Sequence, residues 1–419
     1  MRPQDVCFQL FADKTEYYHH WYHDRPMLIT SERRDELRRM QALLYKCIAY
    51  MAEHYREWVP EYMPLDEKVM EILDCQSRYP FRAGAYRPDY LISEDGQLLL
   101  VEITSRFFGH GIWANYPSVV KAQQFMAAFP EVSWENRYDE LLTYMRDIFH
   151  PLGGQGAPIY VLKSSDRGSE SAFYTKFYEY YGHEVTVYEA DQVEAHIDLW
   201  SHDAVVISAL NQEDLLSFRM ETLQAMIDAR MLNDFRTIFL IHDKRFLHLI
   251  FVDAFTSQCL TEEETAFLRQ HTIPTYLYNN RYKEIWEDAL QHKDRYILKP
   301  YDLGKSVGLY AGVMTDEETW KDAIQHSKFN IHNYILQPFI HQRTYPCVWA
   351  GKHYDEYVCG MMLCVDDRYF DSGVFRTSSA PVTNKVDDRK MCVIHSDDER
   401  LRAGELSSGM ELKKYCFVL

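Results

Sequence analysis

Several things are missing from this 419-residue sequence, and each absence narrows its class. No run of basic residues stands out, and Asp plus Glu outnumber Lys plus Arg by 63 to 45, for a net charge of −18. An acidic surface repels nucleic acid and anionic lipid, so neither is expected as a broad-surface partner. Nothing approaches about 18 uninterrupted apolar residues, and the N-terminus has no basic-then-apolar signal pattern. A soluble, cytoplasmic protein outside the membrane is expected. The nine cysteines are scattered with no Cys-x-x-Cys pair, which predicts reduced thiols and argues against structural zinc. Internal repeats and low-complexity segments are also lacking.

What is present is an ordinary globular composition, 47% hydrophobic and 26% charged, in a chain long enough for two or three domains. Residues 31–56 open at Ser31, carry Glu32 and Asp35 in the first turn, and repeat Leu37, Met40, Leu44, Ile48 and Met51 at helical spacing. A shorter helix is expected near 65–73, and helices at 117–128 and 135–149. Between them, Tyr90–Ile92, a Ser93-Glu-Asp-Gly96 turn and the run Leu98–Ile103 predict a β-hairpin. A Gly/Pro-rich connector at 151–158 then marks a change. Strands at 159–163, 184–188, 204–208 and 237–241 alternate with helices near 170–181 and 214–231, predicting a small parallel α/β layer. Helices at 244–253 and 261–270 follow, and from Tyr296 onward the chain reads as mostly strand with one helix near 316–327. The expected partition is therefore 1–150, a helical region holding a hairpin at 86–106; 151–243, the parallel layer; and 244–419, a third region built around a glycine-loop hairpin.

Five short segments have chemistry to offer. In Tyr296-Ile-Leu-Lys-Pro-Tyr-Asp-Leu-Gly-Lys-Ser-Val-Gly308, a strand ends in Lys299 and a loop with Gly304, Lys305, Ser306 and Gly308 follows, able to lie close over phosphates. A surface hairpin with a stray lysine looks much the same. Arg87 and Asp89 open one strand of the first hairpin and Glu102 closes the other, so two carboxylates and a guanidinium would meet at one end of the ribbon. Such carboxylates suit Mg²⁺ and such a fork suits a phosphoryl group, although an Arg–carboxylate bridge capping a hairpin fits equally. Lys244 stands at a predicted strand-to-helix junction, where it could reach a phosphate or lie solvated on a helix turn. Gln337-Pro338 breaks the strand 334–340 and marks it as an edge whose freed backbone groups could meet an adenine. Arg376, in the polar segment 373–384 after a predicted strand pair (357–365 and 368–376), could stabilise charge on a transferring phosphoryl group, or belong to a surface loop. The aromatic and polar stretch 105–116 is a candidate substrate-facing loop, or a packed loop beneath the next helix.

Taken in order, Arg-x-Asp with a Glu thirteen residues after the Asp, then a junction lysine, a lysine–glycine hairpin, an Ile-Leu-Gln-Pro strand and an Arg-Thr-Ser-Ser loop, the chain resembles the ATP-grasp ligases. The resemblance is to the circularly permuted branch typified by the synthetase domain of glutathionylspermidine synthase. It implies an ATP-grasp-like α+β fold, with antiparallel sheets around a nucleotide cleft beside the small parallel α/β layer. It also implies ATP and Mg²⁺, with Arg87 and Arg376 near the transferred phosphate and Asp89, Glu102 and Thr104 as metal ligands. Lys244, Lys299, Gly304, Lys305, Ser306 and Gly308 would bind the nucleotide's phosphates, and Gln337 would lie on the adenine side. The metal strand departs from the family's Glu-x-Asn, reading Glu102-Ile103-Thr104, and threonine lacks the amide carbonyl. The implied reaction activates a carboxylate as an acyl phosphate and passes it to an amine or a carrier-protein thiol. A non-catalytic nucleotide-binding relative and a small-molecule kinase on the same scaffold are the alternatives.

Overall fold

The computed structural model describes the chain except residues 13–19, 107, 109–110, 149–155, 167, 203, 305, 330–332, 384, 388 and 404–415. Its strands, among the described residues, are β1 (Met27–Ile29), β2 (Ala85–Ile92), β3 (Leu98–Thr104), β4 (Ile159–Lys163), β5 (Val185–Glu189), β6 (Val205–Ala209), β7 (Tyr296–Pro300), β8 (Tyr310–Ala311), β9 (Tyr334–Pro338), β10 (Tyr345–Trp349), β11 (Lys352–Val365), β12 (Arg368–Ser378), β13 (Arg389–His395) and β14 (Phe417–Val418). They form three sheets. The largest runs β14-β1-β13-β12-β11-β2-β3, with β10 also on β11; a three-stranded sheet runs β5-β4-β6, and another β8-β7-β9. The first is mixed, because β1 pairs in parallel with β13 and β14 while β2, β3, β11, β12 and β13 pair antiparallel. The second is wholly parallel and the third antiparallel.

The first hairpin forms because the apolar runs Tyr90–Ile92 and Leu98–Ile103 flank a polar Ser93-Glu-Asp-Gly96 turn. Gly96 there has φ +86°. Far from standing alone, β2 docks on β11, so the hairpin becomes the edge of the large sheet. One irregularity matters for the site. Asp89 pairs with Glu102 and Tyr90 with Leu100, leaving Val101 as the extra residue of a bulge. A bulge re-aims the side chains beside it, which lets both Val101 and Glu102 face the same cleft.

The long helix 31–56 is present and continues to Tyr62, its first turn capped by the Thr30 hydroxyl, which accepts from the Arg33 amide. It buries Leu37, Leu44, Ile48 and Met51 in the main core with Ile103 and Leu240. Helices at Ile112–Met126 and Tyr138–Asp147 correspond to the two expected there. The strand expected at 237–241 is instead a π-helical turn, Thr237–Ile241. All five of its residues are buried, and a wholly buried apolar run carries no period that separates strand from helix. The third strand of the parallel sheet is β6, flanked by a bridge from Ile207 to Leu232. The single helix expected at 214–231 is two, Gln212–Ser217 and Met220–Asp228, because Phe218 and Arg219 adopt extended backbone. That expected at 244–253 shrinks to Phe246–Leu249, followed by a helix at Asp253–Cys259. No helix among the described residues is long and apolar enough to cross a membrane.

Candidate functional site

The large sheet and the β8-β7-β9 sheet face one another across a cleft, and most of the residues singled out above line it. Asp89, Glu102, Lys244, Lys299, Gly304, Ser306 and Arg376 surround one cavity of about 90 Å³. Register explains the large-sheet side: Asp89 lies opposite Glu102, Leu91 opposite Cys359, and Cys359 opposite Arg376. Cross-strand partners share a face, so these side chains are delivered together. Lys299 comes from the penultimate residue of β7, opposite Ile335 on β9. Lys244 sits between the π-helical turn and the short helix Phe246–Leu249, its amide bonded to the Tyr301 carbonyl at 2.9 Å.

Arg87 and Thr104 lie beneath the cleft rather than in it. Arg87 Nε and Nη2 donate to the two Asp89 carboxylate oxygens at 2.7 and 2.9 Å, a buried bidentate pair. Thr104 Oγ1 accepts from Arg87 Nη2 at 3.4 Å. Arg87 therefore holds Asp89 in place, and Thr104 helps hold Arg87. Arg376 Nη1 stands 3.9 Å from the outer Asp89 oxygen.

Positive charge is concentrated in the cleft. Lys244 Nζ is 3.8 Å from Glu102 Oε2. Burial would raise the Glu102 carboxyl, but Lys244, Lys299, Arg376 and Arg87 together hold it at about 2. Burial depresses Lys299 to about 8, with Glu102 pulling it up and Lys244 pushing it further down. Lys244 is lowered by burial too, with the Glu102 carboxylate working against that fall. Four cationic side chains thus surround two carboxylates, an excess of positive charge in a strongly acidic protein. A carboxylate kept ionised in such company suits a hard divalent cation that arrives with an anion.

The loop after β7 covers this charge. Gly304 packs so closely on the Arg106 guanidinium that any side chain there would collide with it. Gly308 has φ +66°, and a Cβ on it would meet Pro300 at 2.9 Å. Lys244 Nζ donates to the Leu303 carbonyl at 2.6 Å, and Ser306 Oγ donates to the Thr383 carbonyl at 3.2 Å, so the loop is tied to both walls. Lys305 lies outside the described residues. Gln337 lines an adjoining apolar cavity, which shares Leu91, Val101, Ile297 and Lys299 with the first.

Three contributors were not singled out by residue in the sequence reasoning. Cys359 lies on the cleft floor, and no feature of its neighbours in sequence marks it. Arg106, in the stretch flagged as substrate-facing, donates from Nε to His242 Nε2 at 2.9 Å. Burial, reinforced by Arg106 and Lys244, holds His242 at about 3, so it is neutral and can accept that bond. Its position directly after the Glu102 strand was the available clue. Gln342, the third, lines the apolar cavity with Gln337. Across the covering loop lies a larger cavity of about 760 Å³. Leu303, Gly304 and Val307 form its wall toward the charged cleft, and Asp166 and Asn211 contribute from beyond β4 and β6.

Comparison with known proteins bears on the fold. No curated protein matches the sequence. A family model described as the AnkG N-terminal domain matches residues 40–240, a span that contains the β2–β3 hairpin and the parallel layer and ends just before Lys244. Among solved structures, the chain is similar to a glutathione synthetase-like effector from Globodera pallida in its apo form. That similarity covers 93% of this chain and 97% of the other, with a TM-score of 0.58 and 10% sequence identity. At that identity the likeness speaks to architecture alone, and the architecture is a mixed α+β, ATP-grasp-like fold.

Proposed function

We propose that this protein is an ATP-dependent ligase that activates a carboxylate as an acyl phosphate and transfers the acyl group to an amine, releasing ADP and phosphate. The observation that carries this reading is the convergence of Lys244, Lys299, Arg376 and the ionised Glu102 on one cleft beneath a glycine loop. The donor set fits Mg²⁺-ATP. Among the described residues no group of three or more His, Cys, Asp or Glu forms a metal cage, and Mg²⁺ is commonly held by one or two carboxylates plus substrate phosphates. Glu102 would be the principal protein ligand, with Asp89 beside it and already oriented by Arg87. Bound Mg²⁺-ATP supplies the phosphoryl group that makes a carboxylate reactive toward an amine.

The protein's own part is alignment and charge neutralisation, which is most of what phosphoryl transfer requires. Lys244 and Lys299 would meet phosphate oxygens, and Arg376 would face the charge that develops on the transferring group. The loop with Gly304 and Gly308 would exclude water, which otherwise hydrolyses an acyl phosphate. The 760 Å³ cavity on the far side of that loop offers room for the acid and the acceptor. Its lining favours an amine over a neutral thiol: Asp66, Asp166, Glu213 and Asp302 face it against Arg106, and Arg245 is already paired with Asp243 at 2.6 Å.

The test is release of ADP and phosphate measured against a panel of carboxylic acids, each with and without amines. Acid-dependent phosphate release that rises on adding an amine supports ligation. Phosphate retained on an isolable product would identify a kinase. ATP binding with no turnover for any pair would identify a non-catalytic relative.

A further inference from the structure

Two of the nine thiols stand apart from the rest. Cys47 lies on the long helix Ser31–Tyr62, and Cys259 is the last residue of the helix Asp253–Cys259. They are 212 positions apart in sequence, yet their sulfurs are hydrogen-bonded at 3.8 Å. Neither lines the charged cleft or the cavities beside it, and no step of the ligase reading uses them.

Their surroundings differ as a reactive pair requires. Cys47 is fully buried and Cys259 only half-buried, so solvent reaches one sulfur of the two. The Cys259 thiol is held below its usual value, above all by its hydrogen bond to Cys47 and further by the Lys46 ammonium, against burial and the Glu264 carboxylate. The same bond, with burial, pushes Cys47 up. Lys46 is fixed beside them by Glu264 at 2.6 Å. Elsewhere burial raises the thiols of Cys7, Cys347, Cys359, Cys364, Cys392 and Cys416, which leaves them unreactive. A half-exposed thiol that ionises readily, set against a second thiol able to attack it, is the arrangement of a peroxide-sensitive dithiol.

We propose that Cys47 and Cys259 are a redox modification site, forming a reversible disulfide on exposure to a peroxide. The Cys259 thiolate attacks one peroxide oxygen, the O–O bond breaks and hydroxide leaves, giving a sulfenic acid on Cys259. The Cys47 sulfur then attacks the Cys259 sulfur and displaces the hydroxyl, which departs as water with the Cys47 thiol proton. The two sulfurs together lose two electrons, and the peroxide gains them. The remaining approach, from 3.8 Å to the about 2.05 Å of a disulfide, falls to Cys259, which ends its helix beside an extended Leu260. The bond ties the long helix to the segment that follows Lys244. It closes a ring of chain that contains Asp89, Glu102 and Lys244, so both walls of the charged cleft are anchored within it. Thiol exchange with a small dithiol opens it again.

The experiment exposes the full-length, fully reduced protein to hydrogen peroxide without denaturant. Remaining thiols are then alkylated in denaturant, and the unreduced digest is read by mass spectrometry. The expected result is one linked peptide pair joining Cys47 to Cys259, lost on adding dithiothreitol, with the other cysteines recovered alkylated. Cys75, the other half-buried cysteine, is the internal comparison. Cys47→Ser should stop the reaction at the Cys259 sulfenic acid, which dimedone traps, and Cys259→Ser should leave Cys47 a free thiol. Cys47 and Cys259 both recovered as alkylated thiols after Cys75 has been oxidised would overturn the site. A link from either residue to a different cysteine would overturn it too. So would dimedone labelling of Cys259 in the wild type with no link to Cys47, because the two sulfurs then fail to close. Should a serine variant fail to fold, the wild-type digest decides alone.

Discussion

Lys244 gives its ammonium to the Leu303 carbonyl at 2.6 Å while facing Glu102 at 3.8 Å. The residue proposed to meet a phosphate is thus also one of the ties, with Ser306, that hold the covering loop. The cleft beneath has a volume of only about 90 Å³, so a nucleotide must release this contact to enter. Lys244→Met removes both functions. It is expected to weaken triphosphate binding at least tenfold, a charge-assisted hydrogen bond being worth about 1.5–3 kcal/mol. It should also raise proteolytic cleavage within 302–308. Unchanged protection of that loop would show that the latch is inconsequential.

Lys299 sets a pH dependence. Its proton is held only to about pH 8, because burial depresses it, Glu102 partly restores it and Lys244 opposes. A cationic lysine attracts phosphate and a neutral one does not. Triphosphate affinity should therefore fall as pH rises from 7 to 9, and binding near pH 8 should take up protons. Glu102, held at about 2, stays ionised throughout and adds nothing to that slope. Calorimetry in buffers of unequal ionisation heat measures the uptake directly. A flat affinity across this range would contradict the assignment of Lys299.

Asp89 and Glu102 sit opposite one another yet should fail differently. Asp89 is buried against Arg87 with 1% and 3% side-chain exposure. Breaking one half of such a pair leaves an uncompensated charge, so Asp89→Asn is expected to cost about 3–5 kcal/mol of stability. Glu102 is 28% exposed. Glu102→Gln should remain folded but lose turnover, as expected of the Mg²⁺ ligand proposed above. Thermal melts run alongside phosphate release separate the two. Equal melting of both variants would deny the division of labour.

The loop glycines are constrained by their surroundings. Gly308 holds a left-handed conformation against Pro300, and an alanine there should cost about 1–2 kcal/mol. Gly304→Ala would displace Arg106 or the loop. It is expected to raise the KM for ATP with little change in melting temperature. An unchanged KM would place the loop away from the nucleotide.

Much of this site could be read in the residues before any coordinates. The β2–β3 hairpin is legible because its two apolar runs flank a Ser-Glu-Asp-Gly turn, and the strand pair carrying Arg376 is legible for similar local reasons. The lysine–glycine segment likewise pairs as expected, Ile297 with Ala311 and Leu298 with Tyr310. What stayed hidden depended on distant partners or on complete burial. The run 237–241 has no polar residue facing water to reveal its period. Thr104 reads as a possible ligand, and only the fold brings Arg87, seventeen residues away, to its hydroxyl. Gln342 gains meaning only from Pro381, which local sequence cannot bring near. Arg106 acquires a role only once Gly304 is packed against it.

The most direct measurement follows oxygen. With both carboxylate oxygens of the acid substrate labelled with ¹⁸O, an acyl phosphate passes one labelled atom to inorganic phosphate when the amine displaces it. The account predicts one ¹⁸O in the released phosphate for each amide formed, with Glu102→Gln releasing none. Product formed with no label in phosphate would contradict it.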